Sequence, residues 1–275
     1  MVGKRTAGLV AAIALVAAAP ACSGLAEGVR PSISDSCMIT TEETSVVVDL
    51  EQAKYASIIS GLTLKRSLPA RAASIALTTA YQESEIRNID YGDRDSLGLF
   101  QQRPSQDWGT PKQIMDPYYS TGAFYDALVK IKNWQKRDIT EVAQAVQISG
   151  YPDAYRDHES DGRALASALT GHSPAAIACL DLSPDPGDAK GLASALQKTF
   201  GKVKISREGD TVTITGRSDT AAWAYGQFAV ANLEEYGVAA VTVGDQRWQS
   251  VADERAGWSA AEEPAEPRQV IITVR

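Results

Sequence analysis

Residues 80–117 read AYQESEIRNIDYGDRDSLGLFQQRPSQDWGTPKQIMDP. The stretch leaves an apolar run, passes Glu83 and Ser84, crosses a polar loop holding Asp90, Asp93 and Asp95, and re-enters apolar sequence at Gly98-Leu99-Phe100-Gln101. A carboxylic acid delivered by a buried helix to the rim of a polar cleft suits general acid chemistry. Apolar walls disfavour the charged carboxylate and keep a proton on it near neutral pH. The competing reading of Glu83 is a structural ion pair with Arg87, four residues further on.

Upstream, Leu50, Ala53, Ala56, Ile59 and Leu62 recur near the helical period, and Leu68-Pro69 ends that run. Residues 70–84 are apolar nearly all round, which marks a central helix with Glu83 on its last turn. Downstream, Thr110-Pro111 opens a helical turn to Ile114, and Met115-Asp116-Pro117 breaks it. Helices are expected over 120–131, 138–148 with Thr140 as N-cap, and 161–169. Residues 45–182 thus read as a helical domain with at most a small hairpin near 89–100.

Ser183-Pro184-Asp185-Pro186-Gly187 reads as a linker. Beyond it, 188–275 reads as a small α+β domain: a helix over 189–200, strands over 202–206 and 211–215, and a long helix from a cap at Asp219 to Glu235. A hairpin over Gly244-Asp245 and a closing strand at 269–274 follow. The expected class is α+β, a mainly helical domain followed by a small mixed one.

At the other end, two basic residues in the first five, an apolar run over 9–19 and Pro20-Ala21-Cys22 have the order of a secretory signal peptide, 1–22. The run is about half the roughly 20 residues a membrane helix needs. Cys22 directly after Ala21 leaves two fates open, a lipid anchor on Cys22 or simple cleavage nearby. Residues 23–44 read as a polar tether. With Cys22 lipidated or removed, Cys37 and Cys179 remain of three cysteines, and an exported protein permits a disulfide between them; the other reading is two buried thiols.

The net charge of −7 argues against nucleic acid as a partner. Two histidines, His158 and His172, are too few for a zinc site or a His-built triad. The Asp90, Asp93 and Asp95 spacing lacks the calcium-loop pattern and its glycine. No metal or cofactor is expected.

The order of Glu83-Ser84, Gly98-Leu99-Phe100-Gln101, Met115-Asp116-Pro117, Gly122-Ala123-Phe124-Tyr125 and then Val142 to Ala154 resembles the lysozyme-like fold of soluble lytic transglycosylases. The resemblance places Glu83 on the family's catalytic acid, followed by Ser84, with Gln101 on its cleft glutamine and Phe100 on its apolar methionine. The family's Ala-Tyr-Asn motif is replaced here by Ala145-Val146-Gln147, so Gln147 stands for the asparagine amide, and Tyr151 or Tyr155 for the aromatic sugar surface. It implies cleavage of the β-1,4 link between N-acetylmuramic acid and N-acetylglucosamine in peptidoglycan. A hydrolase variant would need a second carboxylate to position water, and Asp95 is the candidate nearest the cleft; its competing role is a turn or cap.

Near the C-terminus, Tyr236-Gly237-Val238, Val241, Gln246-Arg247-Trp248, Gly257-Trp258 and Val270 to Val274 resemble the tail of a cell-wall carboxypeptidase of the zinc type. That family's zinc histidines are missing, since no histidine follows His172. The implied domain is a degenerate one kept for binding or assembly; the alternative is an unrelated α+β module. Two functions are carried forward, a peptidoglycan-cleaving enzyme of the cell envelope and a non-catalytic envelope protein that binds glycan through the same cleft.

Overall fold

The computed structural model describes residues 34–148, 153–252 and 254–275. The leader, Cys22, the first half of the tether and Tyr151 lie outside them. Strands β1 (Ser36–Thr40) and β2 (Ser45–Val48) come first, followed by helices α1 (Leu50–Lys65) and α2 (Ala70–Ser84). Short helix α3 (Pro111–Ile114), then α4 (Pro117–Leu128), α5 (Ile139–Gln147), a 3-10 turn at Ala154–His158, α6 (Glu159–Leu169) and strand β3 (Ile177–Leu180) complete the first part.

α1 opens with a reciprocal cap: Gln52 N–H donates to Asp49 Oδ1 at 2.8 Å, and Asp49 N–H to Gln52 Oε1 at 3.0 Å. α2 is buried along most of its length, as its apolar sequence requires. α4 starts three residues before its expected position, because Asp116 caps it and Pro117 fits the first helical turn, where its missing N–H costs nothing. The cap of α5 is Asp138, whose carboxylate accepts from the amides of Thr140 and Glu141, so Thr140 lies inside the helix.

Residues 36–40 are not tether but strand β1, the centre of a sheet ordered β2-β1-β3. Short strands of four or five residues carry little periodicity of their own, and β3 pairs from far along the chain. Cys37 and Cys179 stand directly opposite each other in that pairing and form a disulfide. The hairpin expected near 89–100 reduces to a single bridge between Leu97 and Gln102.

The bond closes 142 residues. Replacing both cysteines with alanine is expected to lower stability by roughly 5 kcal/mol in the chain-entropy treatment. Denaturant titration of the double variant measures this, and a midpoint equal to that of the parent would contradict it.

The second part contains α7 (Ala189–Phe200), β4 (Lys204–Glu208), β5 (Thr211–Thr215), α8 (Asp219–Ala231), α9 (Leu233–Tyr236), β6 (Val238–Val243), β7 (Gln246–Gln249), β8 (Ser259–Ala260) and β9 (Gln269–Val274). Its antiparallel sheet is ordered β4-β5-β9-β6-β7-β8. The long helix breaks at Asn232, and its cap is Ser218 where Asp219 was expected.

The linker reading meets main-chain bonds: Gly187 N–H donates to Arg275 O at 3.1 Å and Asp188 N–H to Tyr236 O at 3.0 Å. α8 packs against both α1 and α6. Gln227 of α8 is fully buried; its Oε1 accepts from the amides of Ala176 and Ile177, and its Nε2 donates to Ala168 O and Ser173 O. One hydrophobic core runs through both parts, and the described residues belong to one compact unit. No helix among the described residues is long and apolar enough to cross a membrane.

Candidate active site

α2 ends one residue after Glu83. Glu85 and Ile86 both take left-handed backbone, with φ of 55° and 57°, and the amide of Ile86 donates back to Ala80 O at 3.0 Å. This turn carries Arg87 off the helical path, so the i,i+4 geometry needed for a Glu83 pair never forms. Arg87 instead bonds Asp49 and Glu51. The ion-pair reading of Glu83 is therefore overturned.

Glu83 is half-buried, and the hydroxyl of the fully buried Tyr155 donates to its Oε1 at 2.5 Å. Gln147 also hydrogen-bonds the carboxylate, while its Nε2 donates to Phe100 O at 2.7 Å. Three segments thus meet at one carboxyl group: the end of α2, the last turn of α5 and the turn at Ala154–His158. Burial raises the Glu83 pKa above the ordinary 4.5, and the Tyr155 and Gln147 hydrogen bonds pull against that rise. A carboxyl balanced in this way holds a proton readily and is still stabilised after losing it.

Ile148, with φ of 53°, stops α5 immediately after Gln147, and Gln101 has φ of 45°. Left-handed backbone at non-glycine residues costs about 1–3 kcal/mol each and concentrates at functional sites.

No family model matches the chain, and no curated protein matches it. The site is therefore read from its own geometry, which changes several expected roles. Phe100 is fully buried and stacked on Phe124, with ring centroids 4.6 Å apart, so its side chain belongs to the core and its carbonyl to the site. Ser84 is buried, and its hydroxyl bonds Leu99 O at 2.8 Å and Ala80 O at 3.1 Å; it ties the apolar segment to α2 and has no donor left for a sugar. Gln101 donates to Tyr91 O and Gly98 O, which closes the 91–98 loop. Gly92 allows that approach, because a Cβ there would lie 1.9 Å from Gln101 Oε1. Tyr155 was read as an aromatic surface, but full burial leaves only its hydroxyl to act.

Asp95 receives Arg103 Nε at 2.8 Å, Ser105 N–H at 2.8 Å and the Ser105 hydroxyl at 3.0 Å. These bonds hold its carboxyl far below the usual carboxylate range. Both oxygens take part in tying down the loop, the turn role that competes with positioning water. The sequence reading missed Arg103 and Ser105 as its partners, since nothing in their spacing marks the loop's return. It also missed Asn88, which donates to Met115 O at 2.8 Å and pins the loop after α2 to the end of α3.

Neither histidine faces the site. His158 stacks on Tyr81 with centroids 4.8 Å apart, and His172 meets the Thr170 hydroxyl at 3.0 Å. A cavity of about 790 Å³ lies at the opposite end of α2 and includes none of the residues around Glu83.

Removing the Tyr155 hydroxyl leaves desolvation less opposed. The Glu83 pKa is expected to rise further in Tyr155→Phe, and an NMR titration of the carboxyl carbon checks the direction. An unchanged or lower value would refute the assigned hydrogen bond.

Proposed function

We propose that the chain is an exported enzyme that cleaves the β-1,4 link between N-acetylmuramic acid and N-acetylglucosamine in peptidoglycan strands. The observation that carries this reading is the Glu83 carboxyl, half-buried, raised in pKa by burial and held by Tyr155. Protonated Glu83 donates to the glycosidic oxygen as the bond to the muramyl anomeric carbon breaks. The resulting carboxylate, stabilised by Tyr155 and Gln147, then takes the proton from the attacking hydroxyl.

The partners of Asp95, the second carboxylate expected nearest the cleft, bear on which hydroxyl attacks. Hydrolysis by the two-carboxylate route requires a partner across the sugar ring, and Asp95 is committed to Arg103 and Ser105. The muramyl 6-hydroxyl needs no such partner. Its attack on the anomeric carbon, with its proton passing to Glu83, yields a 1,6-anhydro sugar. This favours transglycosylation over hydrolysis.

Incubating the purified protein with peptidoglycan and weighing the released muropeptides tests the proposal. Anhydro products are expected. Products with a free muramyl reducing end would mean hydrolysis, and binding without release would support the non-catalytic alternative.

A further inference from the structure

The cavity at the far end of α2 lies roughly 18 Å from Glu83, counting 12 residues at about 1.5 Å of helical rise each. Its volume of about 790 Å³ is within the range of small-ligand sites. The walls come from the turn joining β1 and β2, the first turn of α2, one face of α6 and the loop after it.

Charges of both signs line it, on separate walls. Arg71, on α2, is anchored by two main-chain carbonyls, those of Trp134 and Arg137. Carbonyls orient a guanidinium without cancelling its charge. Arg163 lies one wall away on α6, where its Nε and Nη2 both pair with Glu159 Oε1, which offsets part of its charge and leaves Nη1 for a ligand. Glu42 and Glu43 sit exposed at the tip of the β1–β2 turn, on another wall of the cavity. Thr41 closes that turn by donating its hydroxyl to Thr44 O and accepting the Thr44 amide, so the carboxylates are displayed on a fixed support.

His172 adds a directional group. The single hydroxyl proton of Thr170 goes to Ala166 O at 2.6 Å, so Thr170 accepts from His172 Nδ1. A ring carrying a single proton then holds it on Nδ1 and leaves Nε2 as the acceptor.

The remaining lining is rich in serine and threonine hydroxyls and has no aromatic ring. The lack of rings disfavours sugar stacking, and the lack of large aliphatic side chains in the lining disfavours a lipid. We infer that this cavity binds a short peptide carrying both carboxylate and ammonium groups, its carboxylates toward Arg71 and Arg163 and its ammonium toward Glu42 and Glu43. The inference uses no residue of the Glu83 site and stands independently of the function proposed there.

The test is calorimetric titration of the full chain with the tripeptide Ala-Glu-Lys, its fully acetylated form, and an N-acetylglucosamine oligomer. Binding of the free peptide is expected, about tenfold or more weaker in Arg163→Gln, as for loss of a charge-assisted hydrogen bond. Glu43→Gln should weaken the free peptide several-fold and leave the acetylated form unaffected. Both residues are exposed, and unchanged melting temperatures would show that both variants fold. No binding by the parent at millimolar peptide, equal affinity in the variants, or preference for the sugar oligomer would overturn the inference.

Discussion

Replacing Glu83 with glutamine is expected to lower glycan cleavage by about 10²–10⁴-fold, the usual contribution of a general acid, or more because the same group serves as base. The amide keeps the size of the side chain, and its oxygen can still accept the Tyr155 hydroxyl, but it has no proton to give. The fold should survive, since Glu83 is half-buried and the substitution removes a charge whose desolvation is unfavourable.

The pH dependence of stability has a definite sign. The folded-state pKa is raised, so the protein with Glu83 protonated pays no desolvation penalty below about pH 4.5. Above that value the penalty grows, and it is complete once the pH passes the folded pKa. Glu83→Gln lacks this contribution, so its melting temperature should gain on that of the parent as the pH rises through that window. A well-folded variant with parental cleavage would remove Glu83 from the chemistry. A variant that loses activity only in proportion to unfolded protein would restore a structural role.

The second large effect is expected at Gln227, far from the carboxyl group. Its amide bonds two main-chain amides and two main-chain carbonyls of the 168–177 segment from a fully buried position. Gln227→Leu keeps the volume and strands those groups away from water. Each unmet buried group costs about 1–3 kcal/mol before relaxation, so a loss of about 3–5 kcal/mol is expected, a large share of the roughly 5–15 kcal/mol that holds a typical domain together. Because α8 reaches into the first part, both parts should melt in a single transition in the parent protein. Urea titration followed by tryptophan fluorescence and far-ultraviolet circular dichroism distinguishes the outcomes. Two separated transitions in the parent, or a loss under 1 kcal/mol in the variant, would show that the two parts stand alone.

The chain by itself determined the pieces whose signals are local. The uniform apolarity of residues 70–84 specified α2 and placed Glu83 on its last turn. The helix at 189–200, the closing strand at 269–274 and the α+β class were equally legible, because capping, turn chemistry and periodicity act within a few residues. The cysteine inventory narrowed Cys37 and Cys179 to a disulfide or two buried thiols, and the folded chain has the disulfide.

Tertiary structure alone decided what depended on distant partners. Strand β1 was hidden within an apparent tether because its pairing with β3 spans about half the chain. The roles of Phe100, Ser84 and Tyr155 turned on burial, which a residue's type does not reveal. Asp95 and Arg87 found partners that no spacing announced. The tie from Gln227 to the 168–177 segment joined two parts that composition alone had separated. In each case the deciding free energy comes from removing particular groups from water against partners far away in sequence, and only the folded chain brings those partners together.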